Sequence, residues 1–167
     1  ENIVYFGDTG RVPYGNRSRE IITKYAKQDI DFLKSNDVKM IIVACGTVSS
    51  VAGNIGENLD IPFTCVLKPT ARAAAAATNN GRVGVIGTTA TIRSGSYRRE
   101  LAAINPKIEV FEQDCPLFVP LVENGLLEDP VTDEIAMRYL SELKDVDIDT
   151  LILGCTHYPL IRSTVGR

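Results

Sequence analysis

The sequence predicts an α/β fold with mainly parallel sheets. Short, continuously apolar strands such as Ile41-Ile42-Val43 and Leu151-Ile152-Leu153 are typical of strands buried on both faces. These strands alternate with helix-forming stretches, which favours α/β over α+β. A cysteine and then a threonine follow both strands, at 45–47 and at 155–156. This recurrence suggests two pseudo-symmetric, doubly wound halves.

Two helices and three strands are expected in the first half of the chain. Ser18 can cap a helix that runs to about Lys34, because its hydroxyl can accept a hydrogen bond from the first turn. The apolar stripe of this helix consists of Ile22, Ala26, Ile30 and Leu33. The other elements are strands at 3–6, 39–44 and 62–67, a loop at 7–15, and a helix that starts near Val48.

The second half is expected to alternate in the same way. Pro69 suits the first turn of a helix, which Asn79-Asn80-Gly81 would end. Pro130 opens another helix, whose apolar stripe is expected to be Val131, Ile135, Tyr139 and Leu143. The remaining elements are strands at 82–86, 108–112 and 150–153, and a helix at 91–104. We place the boundary between two domains, 1–67 and 68–167, at Lys68-Pro69.

The bulk composition excludes several classes of protein. With 44% hydrophobic residues, 23% charged residues and a net charge of −3, the chain has no electrostatic footprint for nucleic acid or an anionic membrane. No apolar run approaches the roughly 18 residues of a membrane span. The first residues do not resemble a signal peptide. Because the four cysteines stand singly, a reducing cytoplasm is the expected location.

Two of these cysteines are the candidate catalytic groups. Cys45 and Cys155 each follow a strand, and open α/β sheets place their binding crevice at the carboxyl ends of strands. Two thiols facing each other across a crevice could remove a proton from one face of a carbon and return one to the other. A strand-to-helix turn is expected to lower the pKa of each thiol. The alternative is that each is a small buried residue, as we expect for Cys65.

Other side chains could assist such chemistry or have no part in it. His157, the only histidine, could relay a proton to Cys155 or lie in a solvent-facing loop. Glu123 could orient an ammonium group or be merely exposed. Backbone N–H groups of the loop at 7–15 could bind an anion, with Arg11 either as a carboxylate clamp or as a surface residue. No GxGxxG or P-loop pattern supports nucleotide binding.

Six short segments form a set that extends over nearly the whole chain. They are Tyr5-Phe6-Gly7-Asp8-Thr9, Val12-Pro13-Tyr14-Gly15, Ala44-Cys45-Gly46-Thr47, Gly84-Val85-Ile86-Gly87-Thr88, Cys115-Pro116-Leu117 and Leu153-Gly154-Cys155-Thr156-His157-Tyr158-Pro159-Leu160. In this order they resemble glutamate racemase, of the cofactor-independent aspartate/glutamate racemase superfamily. The last segment is highly specific.

The resemblance implies a role for each matching residue. Cys45 and Cys155 would be the acid/base pair, with Cys45 serving D-glutamate, and Glu123 and His157 would assist. The implied substrate contacts are Tyr14, Gly15, Gly46, Thr47, Thr156 and His157. The implied enzyme has its site between two α/β domains, needs no cofactor or metal, and acts on glutamate as its small-molecule substrate. It would supply D-glutamate for peptidoglycan and so serve cell-wall biogenesis and cell shape.

Three departures from the family pattern bear on these expectations. The family opens with a strand and an Asp-Ser-Gly loop that are absent here, and its C-terminal helices are also missing. We therefore expect a fragment, and whether it is active by itself is left open. Gly46 stands where the family usually has asparagine. Replacing Gly46 with asparagine is expected to raise kcat/KM for glutamate, provided that the backbone accepts a Cβ.

The sequence leaves other interpretations open. The protein could be a related racemase that acts on aspartate or a similar acid, or a truncated, non-catalytic relative that works as a binding module. One histidine is too few for a Cys2His2 zinc site, but Cys45, Cys155 and His157 could together hold a metal ion. The oligomeric state is also open, with a homodimer as one option.

Overall fold

The computed structural model describes residues 2–166 and confirms the α/β class. The helices are α1 (Arg19–Lys34), α2 (Gly46–Ala52), α3 (Leu67–Ala77), α4 (Thr89–Ser94), α5 (Ser96–Ile104), α6 (Phe118–Glu123), α7 (Pro130–Lys144) and α8 (Arg162–Val165). The strands are β1 (Ile41–Val43), β2 (Phe63–Cys65), β3 (Arg82–Gly87), β4 (Glu109–Asp114) and β5 (Thr150–Leu153). Short 3-10 helices cover Gly53–Asn58 and Tyr158–Ile161.

The five strands form two sheets, and all of their pairings are parallel. In the first sheet β1 pairs with β2, and Val43 lies opposite Cys65. The second sheet has the order β4-β3-β5, in which Val83 lies opposite Val110 on one side and Thr150 on the other. Parallel neighbours need crossover connections, and helices supply them here. Each sheet belongs to one half of the chain, while the division into domains at 67 and 68 stays a prediction.

The central strand β3 has a hydrophobic core on each side. Val83 and Val85 are fully buried against α3 and α5, whereas Ile86 is buried against α6 and α7. This explains why β3 is continuously apolar, since both of its faces are covered by helices. A third cluster joins α1 to α2 in the first half, and Ile22 and Ala26 lie within it.

Helix α1 confirms the predicted cap and apolar stripe. The Ser18 hydroxyl accepts a hydrogen bond from the Ile21 N–H at 3.4 Å. Ile22, Ala26 and Ile30 are buried, and Leu33 is half-buried. Helix α3 begins at Leu67, so Pro69 lies in its first turn as predicted.

The predicted strand at 3–6 is wrong. No strand pairing is assigned there, and Ile3 and Tyr5 are largely exposed. A segment with strand propensity becomes a strand only where a neighbouring strand can pair with its backbone N–H and C=O groups. In the first sheet β1 pairs with β2, and no described strand pairs with the segment at 3–6.

The predicted helix at 91–104 is two helices. Gly95 lies between them with φ of +60°, a left-handed conformation that ends α4. Helix α6 is not among the elements predicted from the sequence.

The apolar stripe predicted for α7 is confirmed in part. Leu143 is buried, Ile135 and Tyr139 are half-buried against the core, and Val131 is exposed. The other buried positions of this helix are Thr132, Ala136 and Leu140. Thr132 can be buried because its hydroxyl donates a hydrogen bond to the Leu126 carbonyl at 2.5 Å. Nowhere between residues 2 and 166 is a helix both long enough and apolar enough to span a membrane.

Candidate active site

The two cysteine-bearing turns touch each other. Gly46 follows Cys45, Gly154 precedes Cys155, and both glycines are buried. A Cβ on Gly46 would lie 2.1 Å from the Gly154 carbonyl oxygen and 3.5 Å from the Cys155 Cα. The absence of a Cβ at position 46 allows this close approach, and the two halves of the fold therefore meet where the two cysteine-bearing turns lie. We call this contact the glycine seam.

The glycine seam bears on the condition attached to one expected substitution. Gly46→Asn was expected to improve catalysis if the backbone accepted a Cβ, and the structure has no room for one. The obstructing atom is a backbone carbonyl, which cannot move aside as a flexible side chain could.

Cys45 is the N-cap of α2 and is partly buried. Its Sγ accepts a hydrogen bond from the Val48 N–H at 3.5 Å. Burial nevertheless raises the pKa of the Cys45 thiol, and the negative charge of Asp29 raises that pKa further. The N–H groups of Thr47 and Val48 act in the opposite direction but do not prevail. The predicted lowering of this pKa is therefore wrong.

Cys155 is buried directly after β5. A turn and then a 3-10 helix follow it, so it has no α-helix N-terminus to stabilise a thiolate. Burial raises the pKa of the Cys155 thiol to about 11, and charge on Cys45 contributes to the rise. The backbone N–H groups of Thr156 and His157 oppose it.

A chain of three side chains leads from Cys155 to the surface. The Cys155 Sγ lies 3.6 Å from His157 Nδ1, and His157 Nε2 lies 2.5 Å from Glu123 Oε1. A carboxylate only accepts hydrogen bonds, so Nε2 carries the hydrogen and Nδ1 is left facing the thiol. A neutral ring in this tautomer can accept the thiol proton. The structure thus brings together three residues that the sequence singled out.

Hydroxyl groups from both halves meet beside the glycine seam. Thr47 Oγ1 lies 3.0 Å from Thr88 Oγ1, which lies 3.0 Å from Thr91 Oγ1, and all three threonines are buried. Gly15 packs on the same group, since a Cβ there would lie 2.6 Å from the Thr88 side chain. Its carbonyl accepts a hydrogen bond from the Ala90 N–H at 2.9 Å.

Tyr14 and Arg11 are bound to carboxylates of the protein itself. The Tyr14 hydroxyl bonds to Asp8 and lies 3.1 Å from Asp29 Oδ2. Arg11 forms ion pairs with Asp8 at 2.7 Å and with Asp29 at 2.5 Å. Because its charge is matched within the protein, Arg11 is not available as a carboxylate clamp.

The other predicted residues lie around this centre. Thr156 is exposed and lines a shallow cleft with Val122, Glu123, His157 and Leu160. Cys65 packs, partly buried, against the core on one face of the second sheet. Among residues 2–166, no group of three or more His, Cys, Asp and Glu side chains is arranged to hold a metal ion.

Sequence reasoning missed two groups beside the thiols. Asp29 lies on α1, four residues after Tyr25, and helical periodicity alone does not show that it faces the loop at 7–15. Tyr158 is fully buried, and its hydroxyl donates a hydrogen bond to the Cys115 carbonyl at 2.9 Å. The tyrosine is visible in the motif after Cys155, but its partner is not.

Comparison with known proteins places this chain in a family. The model of the Asp/Glu/Hydantoin racemase family matches residues 5–167. The chain belongs to that family. It is 48% identical to a glutamate racemase of Geobacter metallireducens over 168 residues, which is 100% of this chain and 62% of the relative. It is also 48% identical to a glutamate racemase of Persephonella marina, covering 99% of this chain and 64% of the relative. The chain therefore spans less than two thirds of the length of these relatives.

Solved racemase structures share the fold. The crystal structure of glutamate racemase from Francisella tularensis in complex with D-glutamate superposes with a TM-score of 0.94 at 41% identity, covering 99% of this chain and 63% of that one. The Thermus thermophilus glutamate racemase in complex with β-chloro-D-alanine gives a TM-score of 0.84 at 43% identity, covering 97% and 60%. An aspartate racemase from Picrophilus torridus gives a TM-score of 0.64 at 21% identity, which reflects the fold alone.

Proposed function

We propose that the whole protein interconverts L- and D-glutamate by two-thiol acid/base catalysis without a cofactor. The observation that carries this proposal is the glycine seam, where the two turns that bear Cys45 and Cys155 touch. The named relatives support glutamate as the substrate, since they are glutamate racemases and the Francisella structure contains D-glutamate.

The proposed reaction breaks and remakes one C–H bond. A thiolate takes the Cα proton, the electron pair stays on Cα, and the opposite thiol gives its proton to the other face. Cys45 would deprotonate D-glutamate and Cys155 L-glutamate. Each turnover needs one thiol ionised, and because the pKa of both thiols is raised, neighbouring groups must help to remove that proton. General acid/base transfer of this kind contributes roughly 10²–10⁴-fold to a rate.

His157 and Glu123 would help to ionise the Cys155 thiol. Glu123 holds the Nε2 hydrogen, so Nδ1 is free to accept the thiol proton 3.6 Å away. The resulting imidazolium would be stabilised by the carboxylate behind it. No matching histidine exists on the Cys45 side, because the chain has one histidine.

Neutral donors would bind the substrate and stabilise the carbanion. With Arg11 paired to Asp8 and Asp29, the remaining candidates are hydroxyl and backbone N–H groups. We assign this role to Tyr14, Gly15, Thr47 and Thr156, as the family motifs suggest. Such preorganised donors are effective in a site that excludes water. Gly46 would serve only by letting the two turns meet.

The cellular setting is part of the same proposal. The product D-glutamate would supply peptidoglycan synthesis, and the four free cysteines support a cytoplasmic location. The two halves would act as two domains, 1–67 and 68–167. Light scattering would decide between a monomer and a homodimer.

Circular dichroism tests the proposed activity. The purified whole protein is given enantiopure L-glutamate or D-glutamate, and the optical signal should decay to zero from both sides without pyridoxal phosphate or metal. L-aspartate run in parallel should lose its signal far more slowly. A chelator-sensitive or pyridoxal-dependent decay would overturn the mechanism, and faster loss of aspartate would overturn the substrate.

A further inference from the structure

An ion network fixes the loop at 7–15 to helix α1. Within it, Arg11 Nε lies 2.7 Å from Asp8 Oδ2, and Arg11 Nη2 lies 2.5 Å from Asp29 Oδ1. A third bond runs from Arg11 Nη1 to Gln28 Oε1 at 2.6 Å. Asp29 and Gln28 are neighbours on α1, so one side of this helix binds the arginine of the loop.

Tyr14 is fixed by the same network. Its hydroxyl bonds to Asp8 and lies 3.1 Å from Asp29 Oδ2. Its ring packs 5.7 Å from the ring of Tyr25, which also lies 4.4 Å below the Arg11 guanidinium. One carboxylate, that of Asp29, thus bonds through separate oxygens to Arg11 and to Tyr14.

The residue after Tyr14 is bound to the second half of the fold. Gly15 accepts the Ala90 N–H and presses against the Thr88 side chain. The Tyr14-Gly15 pair is therefore held between α1 on one side and the start of α4 on the other. Tyr14 and Cys45 also pack on the same apolar cluster.

The charge of Asp29 reaches the site itself. Asp29 is half-buried, and its negative charge raises the pKa of the Cys45 thiol. Removing that charge would therefore lower this pKa and make Cys45 more reactive near neutral pH. The pKa of Cys155 is shifted by burial, by charge on Cys45 and by the backbone N–H groups of Thr156 and His157. Asp29 is not among these groups.

We propose that Asp29 is a positioning residue, which acts through Arg11 and Tyr14 to hold the Tyr14-Gly15 pair beside Cys45. The inference rests on the proposed function, in which this pair contacts glutamate. Asp29 touches neither the substrate nor the reacting carbon. Its contribution is to the place and stiffness of a binding loop.

The test compares two substitutions on α1 in the whole protein. Asp29→Asn keeps the shape of the side chain but removes its charge from the network. Asp31→Asn is the matched control, because Asp31 is exposed and its side chain makes none of the described bonds to the loop. A double variant, Asp29→Asn with Arg11→Gln, tests whether the two residues act as a unit.

The first measurement separates binding from turnover. Asp29→Asn should raise KM for glutamate about tenfold and change kcat less, because a ground-state contact is loosened. The double variant should raise KM no further, as expected for residues of one network. Asp31→Asn should match the wild type.

The second measurement does not need racemase activity. Iodoacetamide labelling, followed by mass spectrometry of each cysteine-containing peptide, reports the alkylation rates near neutral pH. Asp29→Asn should speed the alkylation of Cys45 and leave that of Cys155 unchanged. Fully buried Cys115 serves as the reporter of unfolding.

The outcomes separate the two proposals. If the wild type does not racemise glutamate, the proposed function fails, and the Cys45 labelling rate alone decides the role of Asp29. If the wild type is active and Asp29→Asn behaves like Asp31→Asn in both measurements, the positioning role is overturned. Faster labelling of Cys115 together with Cys45 would also overturn it, since a general loss of structure would then explain the effect.

Discussion

His157 links a buried thiol to an exposed carboxylate, and this link can be tested one residue at a time. His157→Asn should lower kcat/KM about a hundredfold, because the proton acceptor of Cys155 is lost. Glu123→Gln should lower it about tenfold, since only the orienting hydrogen bond is weakened. Glu128→Gln, at an exposed position, is the control. Initial rates by circular dichroism measure all three.

The equilibrium between the two enantiomers constrains the rates of these variants. The two glutamate enantiomers have equal free energy in water, so each variant must lose kcat/KM equally in both directions. An unchanged value for His157→Asn would contradict the proposed proton path. A Glu123→Gln variant as impaired as His157→Asn would show that the carboxylate does more than orient the ring.

Gly46 offers a second test at the residue scale. Gly46→Ala should destabilise the fold by about 1–3 kcal/mol, because its Cβ would overlap the Gly154 carbonyl. Gly10→Ala is the matched control, since a Cβ there meets nothing within 4 Å. Urea denaturation measures both. Equal midpoints for the two variants would mean that the glycine seam is looser than described.

At the scale of elements, the turn between α3 and β3 depends on one carboxylate. Asp149 accepts hydrogen bonds from the Thr78 hydroxyl at 2.6 Å and from the N–H groups of Asn79 and Asn80. These bonds lower the pKa of Asp149 to about 2, from an ordinary value of 3.8. The stabilisation is therefore complete above about pH 4 and is lost as the pH falls towards 2.

Substitution of Asp149 should reproduce that pH dependence. Asp149→Asn should unfold at a lower urea concentration than the wild type at pH 7, and the difference should vanish as the pH approaches 2. Asp145→Asn, at a nearby exposed position, should show little difference at either pH. A difference for Asp149→Asn that is as large at pH 2 as at pH 7 would refute the linkage.

The elements that the sequence predicted well are those with local signals. Ser18 marked the start of α1, and unbroken apolar runs marked β1 and β5. The segment at 3–6 has the same strand propensity but no partner strand, and partners are not local. Gly95 breaks a helix because of its left-handed backbone, although a glycine is often tolerated within one. Thr132 is buried because a distant carbonyl, that of Leu126, accepts its hydroxyl.

In the candidate site, too, the residues that the sequence predicted are those with a local signal. The motifs identified Cys45, Cys155 and His157, because each lies in a short segment with family character, and the resemblance to the family added Glu123. The role of Asp29 depends on how α1 is rotated against the loop at 7–15, which no local pattern records. The raised pKa of both thiols was likewise unpredictable, since burial outweighs the N–H donors that the turns supply.

At the scale of the whole molecule, the two halves of the chain meet through small residues and hydroxyl groups. Gly46 abuts Gly154, Thr47 bonds to Thr88, and the Ser96 hydroxyl donates to the Ser50 carbonyl at 2.5 Å. These contacts bring one cysteine from each half to a common place. The central claim is that each thiol serves one face of the same carbon.

One measurement tests that claim most directly. Cys45→Ser and Cys155→Ser are each assayed for racemisation of glutamate and for elimination of HCl from the two enantiomers of a chlorinated glutamate. Elimination needs only the base that removes the Cα proton. Each variant should lose racemisation and retain elimination from one enantiomer only, and the two variants should prefer opposite enantiomers. Racemisation that survives in either variant, or the same enantiomer preferred by both, would contradict the two-thiol account.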